Sequence, residues 1–181
     1  LITSSAASDV YKRQEFYKYI TYHFPHVSKG KSFNPKYDLI SWRDDEDSFI
    51  KWCEGKTGIP IIDAAMRQLN QTKWMHNRLR MITAMFLSKN LLIDWRKGER
   101  YFMENLIDGD FCSNNGGWQW SASTGVDASP YFRIFNPITQ SEKFDPDGKF
   151  IKNFVPELVE CPSNEIHNPS KETRSSLNYP E

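Results

Sequence analysis

A chain of 181 residues is long enough for one domain with a real core. Its 23 Lys and Arg balance 23 Asp and Glu, so net charge gives no support to nucleic-acid binding, and any such role needs a local basic patch. No apolar run approaches the length of a transmembrane helix, and the N-terminus has no signal-peptide core.

Cys53, Cys112 and Cys161 are far apart and odd in number, which argues against a disulfide framework and for a reducing, intracellular setting. Aromatic residues make up 14% of the chain, with six Trp, enough to build a platform for a planar ligand.

Residues 1–14 (LITSSAASDVYKRQ) are rich in Ser and Ala and lack a sustained apolar face, so they are expected to be a disordered or non-native tail. Phe16, Tyr17, Ile20 and Phe24 then fall at helical spacing, and Pro25 should end that helix. Residues 28–41 read as a loop. The run Asp44–Asp47 opens a second helix, where its carboxylates complement the helix dipole. Gly55 and Gly58 break the chain, and Pro60 suits the first turn of a third helix carrying Ile61, Ile62, Ala65, Met66 and Leu69.

Residues 73–90 are predicted helical, with Leu79, Ile82, Met85 and Phe86 on one face. Residues 91–107 form another candidate, with Gly98 as a candidate break. Gly116-Gly117 is expected to separate it from a short helix near Trp118–Thr124. Beyond Pro130 the chain reads as loops with short helices. With no convincing run of alternating residues, the class is all-α.

Three constellations carry chemistry. Asn77, Arg80 and Met81 share one helical face, combining a carboxamide, a donor fork and an adaptable thioether. The same spacing also suits a solvated amphipathic helix. Asp108-Gly109-Asp110 suits either a carboxylate pair facing an arginine or heterocycle, or a plain surface turn. Asn114–Trp120 joins two Asn, two Gly and two Trp, which fits backbone approach to a stacked ring or a helix entry with core tryptophans. Lys73, His76, Arg78, Arg80, Arg133 and Lys143 are the basic candidates for a phosphate surface. No His or Cys spacing suggests a metal, and Gly55–Gly58 lacks the spacing of a phosphate loop.

Taken together, Glu54–Gly58, Asp63–Leu69, Trp74–Met81, Asp94-Trp95-Arg96, Asn114–Trp120 and Arg133–Pro137 resemble the C-terminal, FAD-binding helical domain of the photolyase/cryptochrome family. The resemblance covers Glu15 to the end, sparser after Glu160. It is closest to class I cyclobutane pyrimidine dimer photolyases.

It implies an all-α FAD-binding domain, incomplete at its N-terminal side, from an enzyme acting on DNA that contains pyrimidine dimers, as a monomer without membrane contact. FAD would sit among Trp74, Asn77, Arg80, Asp108, Asp110 and Asn114. Arg80 would pair with Asp108, and Asn114 would face flavin N5. Asn77, Met81 and Trp120 would contact a flipped-out dimer. Arg78 and Arg133 match phosphate contacts, and Trp118, Trp95 and Trp42 match an electron-transfer chain from flavin to surface. An antenna pigment would belong to an N-terminal domain absent from these residues. The alternative implied by the same resemblance is a flavin photoreceptor of cryptochrome type, acting through a protein partner.

Two departures qualify the match. The family's antenna domain and flavin phosphate-binding segment are absent, so the isolated chain is expected to be a largely inactive fragment. In addition, Val10, Arg13 and Gln14 stand where the family places an acidic residue and Trp-Arg. That break supports a foreign origin for residues 1–14.

Overall fold

The computed structural model describes residues 4–128, 130 and 132–180, and the side chains from Tyr11 onward within that range. Among these residues all regular structure is helical. The first helix, α1 (Ser4–His23), packs its Tyr17 and Ile20 inward. It begins well before Glu15, so the expected disorder of residues 1–14 is corrected for Ser4–Gln14; Leu1–Thr3 lie outside the described residues. A helix anchored by Tyr17 and Ile20 extends backward cheaply, because propagation costs far less than nucleation and the small residues there offer little resistance. Two 3₁₀ turns, Pro25–Lys29 and Pro35–Leu39, occupy the expected loop.

Asp45 caps α2 (Glu46–Glu54) by accepting from the Ser48 amide, and Gly55 closes it in the left-handed conformation at φ 66°. The helix α3 (Pro60–Thr72) is the centre of the fold, touching α2 and three later helices. Its residues from Pro60 to Met66 are all buried, including Asp63. That carboxylate accepts from the Thr57 amide and hydroxyl, the Gly58 amide and the Tyr179 hydroxyl. The Thr57 and Gly58 amides of this turn therefore serve an internal carboxylate, while those of Gly55 and Lys56 close α2 on the Trp52 and Lys51 carbonyls.

Next come α4 (Asn77–Met85) and a π turn over Phe86–Asn90, so the helix expected from residue 73 starts four residues later. Lys73 adopts φ 59° and ends α3, and His76 caps α4 by accepting the Arg78 amide on Nδ1. Asp94 likewise caps α5 (Trp95–Asn105). Gly98 does not break α5. A Cβ there would overlap the Trp118 indole and Leu87, so its bare backbone is what lets α5 lie against the following helix.

That helix, α6 (Phe111–Ser121), contains Gly116-Gly117 in its interior, correcting the expected break. A Cβ on Gly116 would enter the Tyr17 ring where α1 crosses α6, whereas Gly117 faces open space. The remainder holds α7 (Pro137–Phe144), α8 (Lys149–Phe154) and α9 (Lys171–Ser176), with α7 and α8 against α3. The core runs from Trp52 and Met66 through Phe102 and Trp118 to Ile151 and Ile166. Among the described residues no helix is long and apolar enough to cross a membrane.

Candidate functional site

Helices α4, α5 and α6 border a cavity of about 410 Å³, inside the usual range for cofactor pockets. α4 contributes Asn77, Arg80, Met81 and Ala84; the α5–α6 turn contributes Asp108, Gly109 and Asp110; α6 contributes Ser113, Asn114, Gly117, Trp118 and Trp120. Phe102 and Leu106 form the apolar floor, and Arg13 and Gln14 of α1 reach the rim.

The polar groups are fixed from behind. Arg80 Nε donates to the Met75 carbonyl at 2.8 Å, and one terminal nitrogen donates to both Asp108 oxygens at 2.8 Å. Asp108 is held in turn by its neighbour, since the Ile107 amide bonds the Lys73 carbonyl at 2.8 Å. Asp110 caps α6 by accepting the Ser113 amide at 2.9 Å. The Ser113 hydroxyl and amide beside it hold the Asp110 carboxyl below the ordinary carboxylate range. Asn114 donates its amide to the Glu99 carbonyl at 2.9 Å, leaving its oxygen for a ligand donor.

The wall behind them is aromatic. Trp118 is buried, with ring centroids 5.0 Å from Phe102 and 6.0 Å from Trp52, both edge-on. Its indole N–H makes no hydrogen bond among the described residues although it is fully enclosed.

Of the residues singled out in sequence, Asn77, Arg80, Met81, Asp108, Asp110, Asn114, Trp118 and Trp120 meet on this one cavity. Trp74, Arg78, Trp95, Trp42 and Arg133 do not line it. The left-handed Lys73 turns the chain so that Trp74 lies 43% exposed beside His76 rather than inside. Trp95 is buried with the Arg96 guanidinium 5.0 Å from its ring centre, and Trp42 is half-buried against the core. Arg78 lies 5.0 Å over the Phe144 ring, which Lys143 also approaches, so α4 and α7 share a basic and aromatic surface.

Sequence reasoning missed three groups of consequence. Arg13 and Gln14 were assigned to the tail, yet they share the α1 spacing that carries Tyr17. Phe102 and Trp52, which no constellation in the sequence singled out, back the Trp118 indole directly. Lys89, in the π turn, donates to the Arg133 carbonyl at 2.9 Å and the Pro130 carbonyl at 3.4 Å. Burial, with the Arg133 cation nearby, pushes its ammonium down to about 8. No pattern in the sequence joins Lys89 to a turn more than forty residues away.

Fold and cavity together define an all-helical domain that can seat a flat, hydrogen-bonding ring between an aromatic wall and an arginine–carboxylate pair. The sequence profile of the FAD binding domain of DNA photolyase matches residues 8–181, and the chain belongs to that family. The match reaches back past Glu15 into α1. A deoxyribodipyrimidine photo-lyase of Vibrio cholerae is 61% identical over 156 residues, covering 86% of this chain and 33% of the relative, so the chain spans about a third of that protein's length.

A solved bacterial class III photolyase from Agrobacterium tumefaciens superposes with TM-score 0.89 and 49% identity, covering 99% of this chain and 39% of that structure. A Synechocystis cryptochrome superposes with TM-score 0.87 and 34% identity, covering 99% of this chain and 39% of its own.

The residues present fit FAD. The open face at Gly117 and a polar lining in which the Arg80 guanidinium, the Asp108 and Asp110 carboxylates and the Asn77 and Asn114 carboxamides are joined at the rim by Arg13 and Gln14 suit a ring system with a polar edge.

Proposed function

We propose that the chain is the flavin-holding part of an enzyme that repairs cyclobutane pyrimidine dimers in DNA with light. The observation that carries this reading is the convergence of Arg80, Asp108, Asp110 and Asn114 on one cavity beside Trp118, in a chain 61% identical to a named photo-lyase. Reduced FAD, when bound, supplies the blue-light absorption and the electron for ring splitting.

The chain's own residues bind and orient. Arg80, held by the Met75 carbonyl and Asp108, presents a fixed positive charge beside the ring. Asp110, kept ionised by its capping bonds, accepts from the ring's N–H edge. Asn114 offers its carboxamide oxygen. Asn77, Met81 and Trp120 form the side of the cavity toward an extruded dimer, with Trp120 as the stacking surface. Arg78 and Arg133, outside the cavity, are placed for backbone phosphates. Trp118, Trp95 and Trp42 carry electrons toward the surface, while Trp74, which the resemblance set around the flavin, is off the cavity lining and takes no part in holding the ring.

In this reading an antenna pigment belongs to a domain outside these residues, and the 181-residue chain alone has little or no repair activity. The foreign origin of residues 1–14 stays part of the proposal, tested by recovering the genomic reading frame. A photoreceptor of cryptochrome type is the second reading, supported by the 0.87 superposition on the Synechocystis protein; the lower identity there, with Met81 and Trp120 on the cavity, favours repair.

The test is to incubate the purified chain with FAD, remove free flavin, and record absorption under blue light and reductant. Resolved vibronic bands on a helical protein support the reading. A chain that is folded by circular dichroism yet retains no flavin overturns it.

A further inference from the structure

The helix that lines the cavity also anchors a distant turn. Asn77, Arg80 and Met81 sit at the start of α4, and its π turn, Phe86–Asn90, brings Lys89 under the turn that carries Pro130, Phe132 and Arg133. π turns of this kind interrupt a helix at a cost in regularity and recur at functional positions. Pro130 and Arg133 close that turn on themselves, the Arg133 amide donating to the Pro130 carbonyl at 2.8 Å. Lys89 Nζ then bonds both carbonyls of the closed turn, at 3.4 and 2.9 Å. Of the neighbouring residues in sequence, Phe132 is 73% exposed and Ile134 51% exposed.

An ammonium placed beside a second cation and partly withdrawn from water sits there at a cost, offset here by the two carbonyl dipoles it joins. The Arg133 side chain remains exposed while its own backbone carbonyl is tied down.

We propose that Lys89 is a positioning residue: it docks the Pro130–Arg133 turn on the π turn of α4 and so holds the Arg133 guanidinium at a set distance from the cavity, where a DNA phosphate would meet it. The proposal rests on the reading of Arg133 as a phosphate contact. Lys89 touches no DNA in this scheme; it acts through the turn.

The test uses the 181-residue chain loaded with FAD, its Lys89→Met and Lys89→Arg variants, and Arg133→Ala as the reference. Two quantities are read: amide hydrogen exchange across residues 132–135, and affinity for a UV-irradiated oligonucleotide duplex over a series of salt concentrations.

Lys89→Met is expected to speed exchange across 132–135 roughly tenfold, the effect of removing charged hydrogen bonds to the turn. It should also weaken duplex binding roughly tenfold and lower the salt slope by about one, as Arg133→Ala does. Lys89→Arg, which keeps two donors in reach, should hold both quantities within about twofold of the parent chain.

Unchanged exchange with a reduced salt slope would mean that Lys89 meets phosphate itself, and overturns the proposal. Faster exchange with unchanged affinity also overturns it, since the docking would then serve nothing on the DNA side. If the parent chain keeps FAD but binds no duplex, the phosphate reading of Arg133 falls first and the positioning role with it, a result the Lys89 variants play no part in.

Discussion

Arg80 and Asp108 meet through a single guanidinium nitrogen that donates to both carboxylate oxygens at 2.8 Å, while Arg80 Nε is already spent on the Met75 carbonyl. The pair therefore joins α4 to the α5–α6 turn at the cavity wall, and the Nε bond ties the same side chain back to the segment before α4. Its side chains are 25% and 47% exposed, so solvent screens it and its contribution to stability is small. Its use lies in holding the guanidinium plane still. Asp108→Asn should leave the unfolding midpoint nearly unchanged yet weaken FAD binding about tenfold, the scale of one charge-assisted hydrogen bond that no longer orients the guanidinium. Flavin fluorescence titration measures the second effect. Equal losses in stability and binding would make the pair a structural clamp.

Adjacent glycines on α6 should respond in opposite ways. Gly116→Ala drives a methyl into the Tyr17 ring and should cost about 1–3 kcal/mol, the usual range for overpacking. Gly117→Ala meets nothing within 4 Å and lies in a helix, so it should be neutral or stabilising by about 0.5–1 kcal/mol. The added methyl nevertheless projects into the cavity wall, and FAD affinity should fall. Denaturant melts of both variants, paired with flavin titration, separate packing from ligand clearance.

Much of this site is legible in the sequence, because the spacing of Asn77, Arg80 and Met81 fixes a helical face whatever lies opposite. Asp108 and Asn114 are recognisable only through the family pattern, since an Asp-Gly-Asp turn and an Asn pair are also common surface features. Gly98 and Gly116 resemble breaks and are not. Local propensity penalises glycine in a helix, but the Trp118 and Tyr17 rings that occupy the missing Cβ positions come from other helices. The late start of α4 at Asn77 is invisible for a related reason: a left-handed lysine has no sequence signal, and Lys73 interrupts the helix expected over residues 73–90. The extent of α1 is hidden because its polar first turns carry no apolar stripe and depend on an anchor further along.

Acid should loosen the join between α3 and the Pro156 turn. Arg67 donates to Glu157 at 2.7 Å, and that hydrogen bond is the chief reason the Glu157 carboxyl lies below its ordinary value. A depressed carboxyl contributes stability above the unfolded-state value of about 4.3, and the contribution is lost as pH falls through the folded value. The partly buried pair should be worth about 1 kcal/mol at neutral pH. Glu157→Gln is therefore expected to lower stability at pH 7 by about that amount and to converge on the parent chain at an acid pH below the folded carboxyl value. Urea unfolding at both pH values checks the sign, and a gap that widens in acid would reverse the assignment.

Trp118 offers the sharpest separation of binding from electron supply. Its indole is wedged into the bare backbone of Gly98 and backed edge-on by Phe102 and Trp52, so Trp118→Phe keeps an aromatic in the slot and leaves a modest void. Large-to-small replacement at a buried position of this kind should cost about 1–3 kcal/mol, leaving a folded chain that still binds FAD. Photoreduction of the bound flavin without added reductant should slow by at least about tenfold if the indole is the donor adjoining the cavity, a change of about 1.4 kcal/mol in barrier. Trp52→Phe should leave the rate within about twofold if Trp52 only packs against that donor. Steady blue illumination with absorbance followed at the flavin bands decides between them. A rate lost in Trp52→Phe and kept in Trp118→Phe would route electrons through α2 instead of along α5 toward Trp95 and Trp42.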